Sequence, residues 1–154
     1  MSELKSTLQT DLTNAIRNKE EITTSTLRMV LAAITNEEVS GKVAKELTDQ
    51  EIITVLNREA KKRKEAATAF DDANRPELAQ HERAELDVIT TYLPEALSSD
   101  ALELIIREAV ATAAAHGQSG PSAMGAVMKL VTPQVSGRAN GAAVASAVKA
   151  ALSE

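Results

Sequence analysis

Aromatic residues are nearly absent from this chain: Phe70 and Tyr92 are the only two, and there is no tryptophan. A β-rich core is disfavoured accordingly, because sheets draw on aromatic and β-branched side chains in alternation, and such alternation is hard to find here. Cysteine is missing altogether, which removes disulfides, Cys-ligated zinc and thiol catalysis at once. No stretch approaches the roughly 20 apolar residues that cross a bilayer, so no membrane association is expected. The segment from Met1 to Ile16 mixes polar and apolar residues at helical spacing instead of presenting the unbroken apolar run of a signal peptide. A cytoplasmic protein is the expectation.

What is present is ordinary globular material. The 154 residues are 44% hydrophobic and 25% charged, enough for a core in one compact domain or in two small helical ones. Alanine, leucine, glutamate and lysine prevail, and these lose little side-chain freedom in a helix. The composition therefore predicts an all-α fold. The net charge of −5 argues against a general nucleic-acid coat protein, and DNA is not an expected partner. The acidic excess is confined to residues 1–95, with 13 basic and 18 acidic side chains, whereas residues 96–154 carry four of each.

Apolar periodicity and cap residues predict seven helices. Leu4, Leu8, Leu12 and Ile16 repeat every four residues behind Ser2, and Leu27, Val30, Leu31 and Ile34 form the next stripe, on a helix that Gly41 is placed to end. Thr48 and Glu51 make a capping box, with Leu47 and Ile52 at the positions of a hydrophobic staple, and the helix they start runs to about Phe70. Pro76 opens a fourth helix with Leu78, Leu86, Ile89 and Tyr92 on one face. Pro94 stops it, because proline lacks an amide donor and restricts Leu93. Ser98 caps a fifth helix ending at His116-Gly117, Met124 to Val131 mark a sixth that Pro133 limits, and Asn140 caps a last one through Leu152. The chain divides into two helical subdomains, 1–94 with four helices and 95–154 with three.

Catalytic machinery is hard to assemble from these residues. His81 has Glu77 and Glu85 four residues to either side, which reads best as a pair of solvated contacts along one helix. His116 stands at a helix end, beside carbonyls it can partner. The run Gly117 to Ser122 lacks the strand-turn-helix setting of a serine nucleophile, and there is neither a dinucleotide fingerprint nor a phosphate-binding loop. No catalytic residue, metal site or cofactor is assigned. Two charged clusters remain. On the third helix Glu59 and Arg63 share the apolar arc of Ile52, Val55, Leu56, Ala66 and Phe70, and on the fourth Glu82 and Glu85 lie among the apolar positions. Buried charges are too costly to leave alone, so the pattern predicts an interhelical network of Arg63 with Glu59, Glu85 and Arg28. Its simplest role is to fix helix register. Separately, Gly137 to Gly141 joins the last two helices, with Arg138 offering a fork suited to phosphate and with helix amides behind Asn140. A plain helix-helix turn explains that segment equally well.

Tyr92-Leu93-Pro94, Met124-Gly125-Ala126-Val127-Met128 and Gly137-Arg138-Ala139-Asn140-Gly141, together with Leu27-Arg28-Met29 and Glu59 to Lys64, resemble the YqeY family in order and over essentially the whole chain. That family is similar to the C-terminal tail of GatB, the amidotransferase subunit that acts on misacylated Glu-tRNA or Asp-tRNA. The resemblance implies two helical subdomains, the second like the GatB tail, and a tRNA-contacting role, with Lys129, Gly137, Arg138, Asn140 and Gly141 as candidate RNA contacts. Ala126 stands where the family commonly has lysine, and Asn140 where it commonly has aspartate. The leading reading is a non-catalytic tRNA-binding or amidotransferase-associated accessory module, whose partners are tRNA and an amidotransferase or another tRNA-processing protein. A helical protein-interaction adaptor without RNA affinity is the alternative. A contribution to glutamine-dependent carbon–nitrogen ligase activity, which the family label implies, comes third, since the catalytic parts are absent from these residues.

Overall fold

A computed structural model describes residues Met1–Glu154. It is all-helical, with no strand: α1 (Glu3–Arg17), α2 (Glu21–Glu38), α3 (Asp49–Asp72), α4 (Pro76–Thr90), α5 (Ser99–Ala115), α6 (Met124–Val135) and α7 (Gly141–Leu152), with a single 3₁₀ turn at Pro121–Ala123. No helix is long and apolar enough to cross a membrane. The chain forms two compact units, Met1–Leu93 and Pro94–Glu154.

The first unit is built on α1 to α4. Leu8, Leu27, Val30, Ile34, Ile52, Leu56 and Ile89 are almost fully buried in one cluster, and each such side chain contributes roughly 1.5–3 kcal/mol by leaving water. Helix starts are fixed locally. Ser2 Oγ accepts from the Lys5 amide, and Thr48 and Glu51 exchange the reciprocal bonds of a capping box. Asp49 also accepts from the Leu4 amide at 3.1 Å, so one side chain at the start of α3 satisfies a donor at the start of α1. Near the end of α4 the Tyr92 hydroxyl donates to Asp11 at 2.6 Å.

Three expectations in this unit are corrected. Ile16 is 47% exposed and Ala15 is buried in its place, because a repeat of four residues drifts against a helix of 3.6 per turn and leaves the core after three steps. Leu78 is likewise exposed, and the small Ala79 takes the inward position. Gly41 does not end α2. The helix stops at Glu38, since Glu38 turns to accept from Lys5 and from the Leu47 amide, which draws the following chain back over the helix end.

The second unit packs α5, α6 and α7 around a core of small side chains: Ile106, Ala109, Ala113, Val127, Val131, Val144 and Val148. Alanine on α5 lets the valines of α6 and α7 approach closely. Ser98 and Asn140 cap α5 and α7. Pro133 does not limit α6, which continues to Val135. The missing amide forfeits only one bond, to the Lys129 carbonyl, while the Ser136 amide still reaches Thr132 O and buried Val135 holds the last turn in place.

Helices α1, α3 and α5 finish in the same way, with two backbone bonds folded back over a left-handed residue. After α5 that residue is Gly117, with Gly117 N–H on Ala114 and Gln118 N–H on Ala113. After α1 and α3 it is Lys19 (φ 57°) and Asn74 (φ 58°).

Candidate nucleic-acid interface

The corner between α6 and α7 is a type II turn. Ser136 has φ −57° and ψ 126°, Gly137 follows at φ 76°, and the Arg138 amide closes the turn on the Val135 carbonyl at 2.9 Å. Glycine is needed at 137 because a side chain is strained at that φ. Arg138 is exposed, yet it is not adrift: its carbonyl accepts from the Leu97 amide at 3.0 Å and its Nε donates to the Glu95 carbonyl at 3.2 Å. The corner is thereby tied to the residues that precede α5, and the terminal amino groups of the guanidinium stay unengaged. Asn140 Oδ1 accepts from both Ala142 and Ala143, at 2.9 and 3.2 Å. Those two amides, read from the sequence as free for an anion, are already taken, because a carboxamide cap satisfies its own helix first. Gly141 opens α7 with open space where a Cβ would stand.

Lys129 is exposed on α6 and lies elsewhere in the unit. It lines an open groove of about 490 Å³ between the end of α5 and the first half of α6, together with His116, Gln118, Gly125 and Leu130. Arg138 is not part of that lining. The two cations expected on one face therefore serve different ends of α6: Lys129 stands beside the α5 C-terminus and Arg138 beside the α5 N-terminus, because α5 and α6 run antiparallel. Reasoning from sequence missed His116 and Gln118 as neighbours of Lys129. The short Gly117–Pro121 connector was the available signal, since a tight antiparallel hairpin brings the residues just before it against those one or two turns after it.

In the first unit Arg63 sits between α3 and α4, 14% exposed at its side chain, with Nε 3.0 Å from Glu85, 3.7 Å from Glu82 and Nη2 3.4 Å from Glu59. The approach of Nε to Glu85 is that of an ion pair without an aligned hydrogen bond. Lys62 adds a second cation to Glu59 at 2.9 Å, and His81 Nε2 reaches Glu85 at 3.0 Å. Arg28 does not join. It is exposed, and its neighbour Met29 presents its sulfur to the Arg63 guanidinium instead, since adjacent helical residues point 100° apart and only one of the pair faces α3.

The sequence matches the Yqey-like protein profile over residues 5–152. The chain belongs to the YqeY family. Among curated relatives of this YqeY chain, the "Altered inheritance of mitochondria protein 41, mitochondrial" of Pyrenophora tritici-repentis is 32% identical over 133 residues, covering 86% of this chain and 71% of the relative. An uncharacterized protein of Schizosaccharomyces pombe is 30% identical over 62% of this chain and 76% of its own length. The protein of the first name from Meyerozyma guilliermondii is 33% identical over 56% of this chain and 44% of its own. The first and third of these relatives are mitochondrial by name, which overturns the expectation of a cytoplasmic protein, and the lack of a signal-like run carried no information about that choice.

Proposed function

We propose that this YqeY protein is a non-catalytic tRNA-binding accessory module that works beside an amidotransferase or another tRNA-processing protein. One observation supports the reading above the others. Of the four cations in Pro94–Glu154, only Arg107 has a carboxylate partner, so Lys129, Arg138 and Lys149 keep their charge for a ligand. In the first unit, by contrast, seven of the thirteen lysines and arginines are engaged by carboxylates. Arg138 is the best prepared of the three, being oriented through Nε while its remaining donors stay free for the bidentate approach that phosphate favours. With so few free cations, binding is weak and dominated by salt. The mitochondrial setting in the names of the fungal relatives is carried over with them.

Titration of bulk tRNA at several salt concentrations tests the reading. Three phosphate contacts give a slope of log K against log salt of roughly −2 to −3, and each cation replaced by alanine lowers its magnitude by about one. Loss of both Lys129 and Arg138 is expected to abolish binding at physiological ionic strength without unfolding the chain. A wild-type protein that ignores tRNA even at low salt ends this proposal. The adaptor reading then leads, and it has its own support: a groove of about 480 Å³ between α5 and α7 is lined by Leu102, Ile106, Val110, Ala147 and Ala151.

A further inference from the structure

We infer that the groove between the end of α5 and the start of α6 binds a phosphate of an RNA backbone through Lys129, His116 and Gln118. The inference rests on the tRNA-binding reading and gives that reading a second site, away from the Arg138 corner.

Several independent features converge there. The residues that line the groove include a lysine, an imidazole and a carboxamide, and no carboxylate, in a chain whose net charge is −5. His116 is oriented. Its Nδ1 lies 2.8 Å from the Thr112 carbonyl, and a carbonyl only accepts, so Nδ1 carries a hydrogen and Nε2 is the nitrogen left for a ligand. Lys129 supplies a point charge with no competing acid.

Gly125 lines the groove, and no atom lies within 4 Å of where its Cβ would be, so the space beside it is open. Ala113, Ala126 and the part-exposed Leu130 form an apolar wall beside the polar group. A free phosphate needs only an enclosed ring of donors. An apolar wall and an open course suit a chain that continues past its phosphate with a sugar or base to lay down.

The chain has two histidines, and His81 lies in the other unit, so NMR of the imidazole protons reads the groove directly with an internal control. Titrating the full chain with bulk tRNA is expected to shift His116 and leave His81 still. Lys129→Met and Gly125→Glu should remove that shift and weaken binding several-fold, with Lys129→Met lowering the salt slope by about one. Gly125→Ala, which meets no neighbour, keeps both and shows that the site tolerates substitution when no charge is added. Arg138→Ala weakens tRNA binding but leaves the His116 shift in place. If tRNA binds while the Lys129 and Gly125→Glu variants behave as wild type, the groove is excluded and the module reading survives on Arg138. A shift of His116 by inorganic phosphate with none by tRNA overturns the RNA backbone as the source. No response to either overturns the site itself.

Discussion

Met1–Leu93 holds ten ion pairs of lysine, arginine or the terminal amine and a largely buried arginine among three glutamates, whereas Pro94–Glu154 holds a single pair, Arg107 with Glu103, on the surface of α5. The apolar cores differ in the same sense. The first is built on leucine and isoleucine, the second on valine and alanine. The first unit pairs seven of its thirteen lysines and arginines within itself, and the second pairs one of its four. Exposed pairs add little stability, so the difference matters at two places: at Arg63, the one cation that reaches Glu59, Glu82 and Glu85 together, and in the second unit, at Lys129, Arg138 and Lys149.

The sharpest way to break the comparison is to remove Arg63. Arg63→Ala removes the one side chain that reaches all three glutamates, leaving Glu82 without a partner, Glu59 with the exposed Lys62 and Glu85 with His81, and is expected to destabilise the first unit by about 3 kcal/mol in urea denaturation. Lys62→Ala, whose side chain is 57% exposed, should cost no more than about 1 kcal/mol. Equal losses from the two would remove Arg63 from its central place. The second unit should respond to volume instead of charge: Val127→Ala, at a fully buried position of α6, is expected to cost about 2 kcal/mol, read by calorimetry. Helix caps come next, with Thr48→Ala and Ser98→Ala each lowering stability by about 1 kcal/mol.

The smallest effect is that of acid. The Lys45 ammonium and the Thr48 amide hold the Glu51 carboxyl down at about 2, and the hydrogen bond from Lys5 likewise holds Glu38 below the usual carboxylate range. Both folded values lie below the unfolded value of ~4.3, so this stabilisation is complete above that pH and is lost as the pH falls toward about 2. Lys5→Met and Lys45→Met should flatten the dependence of the urea midpoint on pH over that range, and an unchanged slope would assign the acid response to other groups.

The helices and their starts were legible because the information is local: Thr48 with Glu51, Ser98 and Asn140 each satisfy amides within three residues of themselves. The positions of Ile16, Leu78 and Gly41 were not, since a helix face and a helix end are settled by what packs beyond them. The same divide runs through the polar groups. Charges on an apolar arc marked Glu59, Arg63 and Glu85 as neighbours, but the choice between Arg28 and Met29 turns on a rotation of α2 that no spacing records. Lys129 was readable as a free cation, and its companions His116 and Gln118 were not, because they meet it only when α5 and α6 fold into a hairpin.

Scarce glycine leaves a mark at the α1–α2 corner. With Lys19 in the left-handed region, a side chain occupies a conformation that costs roughly 1–2 kcal/mol in an L-residue, while Asn74 at the end of α3 tolerates it better. The bonds of Lys19 to Ile16 and of Glu20 to Ala15 are therefore expected to open more readily than those within α1, so that their amides exchange with solvent earlier in a hydrogen-exchange measurement.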